Sequence, residues 1–112
     1  MLRIAYVNGR YRPYGDATVH IEDRGYQFSD GVYEVCEVRD GHLIDERRHV
    51  QRLHRSLEAL HMAAPMSDAA LGVVLRETMA RNRVRNGLVY LQVTAGSLAA
   101  TTPFQPARHP WP

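Results

Sequence analysis

The 112-residue sequence has no lysine: all 14 of its basic residues are arginine. Any step that needs a side-chain amine as nucleophile is therefore closed to it, because a guanidinium stays protonated and cannot stand in. Cysteine is almost as scarce. The single Cys36 excludes an internal disulfide, and its place in an alternating apolar run makes it a small buried hydrophobe rather than a nucleophile. No apolar run is long enough to span a membrane, and Met1-Leu2-Arg3-Ile4 leads straight into a strand pattern without a signal-like start. A cytoplasmic protein without a membrane partner is expected. Charge of one sign is also weak: the formal net charge is +2 and dispersed, which gives no footprint for nucleic acid.

What is present is enough for one small domain with its own core. Residues 3–7 read as a strand, Asn8-Gly9 as a two-residue hairpin turn, and Arg10-Tyr11-Arg12 as the return strand before Pro13. Thr18 to Ile21 continue the apolar–polar alternation, with His20 pointing outward. They lead into Glu22 to Val38, the stretch around which the rest is arranged. A charged turn there contains Gly25, a second turn falls at Ser29-Asp30-Gly31, and a strand alternates Val32, Glu34, Cys36 and Val38 against Tyr33, Val35 and Glu37. Glycine suits such turns because it reaches positive φ at no steric cost. Tyr33 stands at the mouth of the strand, where a phenol can offer its hydroxyl to a ligand. The residues equally allow a turn and strand whose aromatics, Tyr26 and Phe28 among them, fill the core.

Asp40-Gly41 predicts a tight turn that pairs Tyr33–Val38 with His42–Ile44. From Asp45 the period becomes helical, with Val50, Leu53, Leu57 and Leu60 on one stripe and Arg48, Arg52, Arg55 and Glu58 on the other face. Ala63-Ala64-Pro65 stops this helix. Ser67-Asp68 caps a second, whose stripe is Leu71, Val74, Leu75 and Met79 and whose end falls near Asn86-Gly87. Leu88 to Thr94 then form a β segment apolar enough to lie inside a sheet. The order predicts an α+β domain over residues 1–94, an antiparallel-rich sheet with two helices. From Ala95 to Pro112 the only charged residue is Arg108, and Pro103, Pro106, Pro110 and Pro112 crowd the end, so residues 95–112 are expected to be a disordered tail. His49, His54 and His61 are spaced by five and seven residues, which does not put ligands on one helical turn, and no metal site is expected.

The string Glu22-Asp23-Arg24-Gly25-Tyr26-Gln27-Phe28-Ser29-Asp30-Gly31-Val32-Tyr33-Glu34-Val35 resembles the signature near the start of the class IV, pyridoxal-phosphate-dependent aminotransferases. Within that group it most resembles the D-amino-acid aminotransferases. Branched-chain aminotransferases and aminodeoxychorismate lyase share a looser version of the pattern and stay open as alternatives. The resemblance covers roughly Met1 to Thr94. It implies the N-terminal domain of a homodimeric enzyme whose active site lies between two domains and near the subunit interface. The reaction implied is transfer of an amino group from a D-amino acid, such as D-alanine, to a 2-oxo acid.

Two residues take roles from the resemblance. His49-Val50-Gln51-Arg52-Leu53 is similar to the helix in which members place an arginine on the cofactor phosphate, which makes Arg52 the cofactor-binding residue; a fixed guanidinium fork suits phosphate. Tyr33 is implied to lie near the substrate carboxylate. Glu34 and Asp30 also match the motif and are read as serving turn and strand pairing. The family holds pyridoxal phosphate as a Schiff base to lysine. This chain has none, so no catalytic residue is assigned, the chain alone is expected to be inactive, and a non-catalytic remnant or interaction protein is the remaining alternative.

After Thr94 the resemblance stops. The family continues with Arg-Gly and, a little later, a histidine and Phe-Pro, whereas Ala95-Gly96 follow here and His109 falls too far along to match. Written in GC-rich codons, residues 94–107 decode with one restored base as Thr-Arg-Gly-Val-Ala-Arg-Arg-Asp-His-Ala-Phe-Pro-Ala. A one-base frameshift near codon 95 is therefore expected.

Overall fold

The computed structural model describes residues 3–96. Its elements are β1 (Ile4–Val7), β2 (Arg10–Pro13), a 3-10 turn (Tyr14–Asp16), α1 (Arg24–Phe28), β3 (Gly31–Arg39), β4 (His42–Leu43), α2 (Glu46–Ala59), α3 (Asp68–Arg81) and β5 (Gly87–Thr94). The α+β class holds. The tail expected over residues 95–112 lies outside the described residues, apart from Ala95 and Gly96.

Both predicted hairpin turns are present. Asn8 and Gly9 take φ of 48° and 92°, and Asp40 and Gly41 take 50° and 78°, the doubly positive pair whose twist matches that of the flanking strands. The first turn sets Ile4 opposite Pro13 and Val7 opposite Arg10. The second sets Val38 opposite Leu43 and Arg39 opposite His42. There the expected pairing ends, except that the Ile44 amide donates to the Glu37 carbonyl at 2.9 Å. The long partner of β3 is β5, in antiparallel register from Gly31–Thr94 to Val38–Gly87. The sheet order is β4-β3-β5, so β5 is an edge strand and not the interior one its composition suggested. Only its Val89 face is covered, while Leu88 and Tyr90 on the other face are exposed.

Helices α2 and α3 cover one face of this sheet. Val38, Leu75, Met79 and Val89 form one buried cluster and Leu53, Leu57 and Met62 another, with Leu71 and Leu91 packed against both. Each helix ends before the point its sequence suggested, and in the same way. His61 and Arg83 adopt left-handed φ of 55° and 54°. The His61 and Met62 amides donate to the Glu58 and Leu57 carbonyls, and the Arg83 and Val84 amides to those of Ala80 and Met79. This is the Schellman closure, with its hydrophobic contact made by Met62 on Leu57 and Val84 on Met79. The Ser67 cap is as expected, its Oγ accepting from the Ala70 amide at 3.1 Å. The β1–β2 hairpin is a separate two-stranded sheet. Asn82 ties it to α3: its Oδ1 accepts from the Ile4 amide and its Nδ2 donates to the Ile4 carbonyl, both at 2.8 Å.

The signature stretch departs from expectation in two ways. Thr18 to Ile21 form no strand, and Val19 and Ile21 are exposed. The charged turn is a helical turn, α1, a third helix, begun by Asp23, whose Oδ1 accepts from the Gly25 amide at 2.8 Å. Its closing left-handed residue is Ser29, φ 56°, and neither Gly25 nor Gly31 has positive φ. Gly25 is required for close approach instead: a Cβ there would lie 2.3 Å from Cγ2 of Thr94.

Candidate functional site

The site grows from one alternation. Along β3, successive side chains point to opposite faces, so Val32, Glu34, Cys36 and Val38 are directed at the helices, and Tyr33, Val35 and Glu37 at the open face. A carboxylate has thereby been carried into the apolar face: Glu34 is 3% exposed. Such a group must be paired and hydrogen-bonded to stay ionised there.

Helix α2 supplies both partners from one face, since His49 and Arg52 are three residues apart. Arg52 Nε donates to Glu34 Oε2 and its terminal NH2 group to Oε1, each at 2.9 Å, a bidentate fork. His49 Nδ1 lies 2.7 Å from Oε1. A carboxylate only accepts, so Nδ1 carries a proton in this contact. The Arg52 hydrogen bond holds the Glu34 carboxyl below the usual carboxylate value of 4.5; burial opposes it and His49 adds to it. The same bond raises Arg52 above the ordinary guanidinium value. Burial, with the charges of Glu34 and Glu46, raises the Cys36 thiol, which suits a packed thiol and not a nucleophile.

Arg52 keeps one edge open to solvent. Its side chain is 59% exposed, and its second terminal nitrogen has no hydrogen-bond partner among the described residues. Tyr33, 63% exposed, stacks on Tyr90 of β5 with ring centroids 5.8 Å apart and 22° between planes. The two expected site residues thus have different partners and lie on opposite sides of β3, Tyr33 on the open face with Tyr90 and Arg52 on the helix face with Glu34. Tyr26 and Phe28 are exposed and do not fill the core.

Sequence reasoning missed Glu34 and His49 as members of this cluster. The signal was available: a carboxylate in phase with Val32, Cys36 and Val38, and a His and an Arg at helical spacing downstream. Asp30 likewise serves more than a turn, accepting from Arg24 Nε at 2.7 Å. Next to it, the signature grips the end of β5. Thr94 Oγ1 donates to Asp23 Oδ2 at 3.0 Å, the Ala95 amide to the Asp30 carbonyl at 3.0 Å, and the Arg24 amide to the Gly96 carbonyl at 2.6 Å. Among the described residues no group of three or more His, Cys, Asp or Glu could hold a metal ion, and no helix is long and apolar enough to cross a membrane.

The fold is that of solved branched-chain aminotransferases. The T.th. enzyme complexed with N-(5'-phosphopyridoxyl)-L-glutamate superposes with a TM-score of 0.81 at 18% identity, over 96% of this chain and 37% of that one. The Escherichia coli enzyme gives 0.78 at 22% identity, over 86% of this chain and 34% of that one. The family model for amino-transferase class IV matches residues 31–110, and the chain belongs to that family. Among curated relatives, the D-alanine aminotransferase of Listeria innocua is 43% identical over 80% of this chain and 31% of its own length. That of Listeria monocytogenes is 46% identical over 72% of this chain and 28% of its own. The chain therefore spans less than a third of the length of these relatives.

Proposed function

We propose that this chain is the N-terminal part of a pyridoxal-phosphate-dependent aminotransferase that moves an amino group from D-amino acids, such as D-alanine, to a 2-oxo acid. The observation that carries the reading is Arg52, locked by a buried carboxylate with its remaining edge outward, on a chain 43–46% identical to D-alanine aminotransferases. The branched-chain structures are less than 25% identical and support the fold without a substrate.

The residues present fit one end of the cofactor. A guanidinium already held in one orientation loses little freedom when a phosphate docks on it, and Arg52 would hold that phosphate. When bound, pyridoxal phosphate supplies the electron sink that lets an amino acid's α-carbon lose its proton. Tyr33 would orient the substrate carboxylate by donating its phenolic hydrogen, which fixes the α-C–H bond relative to the ring. The 112 residues contain no lysine to hold the cofactor covalently. The chain is thus assigned the anchoring and orienting half of the work, with the amine and the second subunit of a homodimer supplied in the longer protein. Residues 95–112 would be the product of a one-base frameshift, with the family's Arg-Gly read in the other frame.

The test is to express the frame-restored, full-length protein and assay D-alanine with 2-oxoglutarate against aminodeoxychorismate. Turnover of D-alanine that falls at least tenfold at sub-saturating cofactor in Arg52→Gln is the expected result. Activity on aminodeoxychorismate alone would sink the substrate assignment, and the 112-residue chain by itself should turn over neither.

A further inference from the structure

The buried carboxylate does more than neutralise Arg52. Its Oε1 is shared between the guanidinium and His49, so the imidazole and the phosphate-binding arginine press on one atom from two sides. With His49 neutral, Glu34 and Arg52 cancel and the cluster has no net charge. With His49 protonated the cluster carries one positive charge. The Nδ1–H faces Glu34 Oε1, so a change of charge on the imidazole needs no rearrangement of the carboxylate.

We propose that Glu34 and His49 are positioning residues that act on an anion through Arg52: Glu34 aims the guanidinium, and the proton on His49 sets how strongly the cluster holds a phosphate group. The inference rests on Arg52 being the phosphate anchor. The one group the imidazole touches is the Glu34 carboxylate of β3, which also holds Arg52 of α2. Farther off, Glu34 and Glu46 act on the Cys36 thiol, and Glu46 is itself paired with Arg76 of α3. Lower pH therefore adds charge where the anion binds and removes none, as long as Glu34 stays ionised.

Sulfate is the probe, because it keeps its double charge across the range while phosphate does not. Its dissociation constant for the full 112-residue chain is measured by titration calorimetry at pH 5.5 and pH 8 and constant ionic strength. The wild type should bind about three- to tenfold more tightly at pH 5.5, the scale expected for one unit charge some ångströms from a dianion in partly screened surroundings. His49→Gln should bind with nearly equal affinity at the two pH values, which removes the contribution of the other histidines from the comparison. The Arg52 Nε–H resonance should shift with the titration of His49 in the wild type, a signal that a purely structural histidine would not produce. Sulfate binding that is absent, or unchanged in Arg52→Ala, overturns the anchor reading and this inference together. Binding that needs Arg52 but is equally pH-dependent in His49→Gln overturns this inference alone. Glu34→Gln, which keeps the shape of the side chain, should weaken sulfate binding while the far-UV spectrum still reports a folded chain; unaltered binding would sink the aiming role.

Discussion

Glu34 is the residue on which local packing and chemistry meet. Its carboxylate is tolerated on the apolar face of β3 only because Arg52 and His49 complete it, and replacing one carboxylate oxygen by an amide NH2 sets donor against donor on that side. Glu34→Gln should cost about 1–2 kcal/mol of stability near neutral pH, measured by urea unfolding. The pH dependence has a definite sign. Because the folded carboxyl is lowered from 4.5, its ionised form stabilises the fold fully above that value. The contribution drains away as pH falls through the lowered value. The difference between wild type and Glu34→Gln should therefore shrink below about pH 4, and a constant difference would show that the charge is not what stabilises. Tyr33 behaves otherwise. It is exposed and, among the described residues, stacked on Tyr90, so Tyr33→Phe should change stability by less than about 0.5 kcal/mol, and its effect should be confined to substrate affinity in the full-length protein.

At the scale of elements, the helix ends and the signature turn explain what the sequence concealed. Both α2 and α3 close with a left-handed residue that is not glycine, His61 and Arg83, because Met62 and Val84 are drawn back into the core one residue later. A side chain in that conformation costs about 1–2 kcal/mol, partly offset by the chain entropy that glycine loses on folding. Arg83→Gly should accordingly stabilise the protein by about 0.5–1 kcal/mol, whereas Leu57→Ala, which opens a cavity beneath the same kind of closure, should cost about 2–5 kcal/mol. Thermal unfolding of the two variants checks both signs. Gly25 is the complementary case, a residue chosen for lack of bulk. Gly25→Ala would drive a methyl into Thr94, so the contacts that hold Arg24 to Gly96 and Ala95 to Asp30 should open. Faster hydrogen exchange at the Arg24 and Ala95 amides, with β1 and β2 unaffected, is the expected signature.

On the scale of the whole molecule, the helices cover one face of the β4-β3-β5 sheet and leave the other to solvent. Tyr33, Leu88 and Tyr90 are exposed there, three large side chains grouped on one face. The chain should self-associate with rising concentration, and Leu88→Ser with Tyr90→Ser should reduce this in sedimentation velocity runs. An unchanged sedimentation coefficient in the double variant would place the association elsewhere. Such a face is consistent with a piece that spans less than a third of its relatives.

Both hairpin turns, the apolar stripes of α2 and α3, the Ser67 cap and the α+β class were determined by the sequence itself. Each rests on φ preferences or periods expressed within a few neighbouring residues. The site was legible in part: Tyr33 and Arg52 stood out by motif, but nothing nearby in the chain tied either to Glu34. Tertiary structure alone decided that β5 is an edge, that Gly25 makes room for Thr94, and that Glu34 is completed by groups 15 and 18 residues away. Those outcomes depend on which faces meet. A buried charge selects its partner by distance in space, and sequence separation carries no record of that distance until the strand and helix have packed.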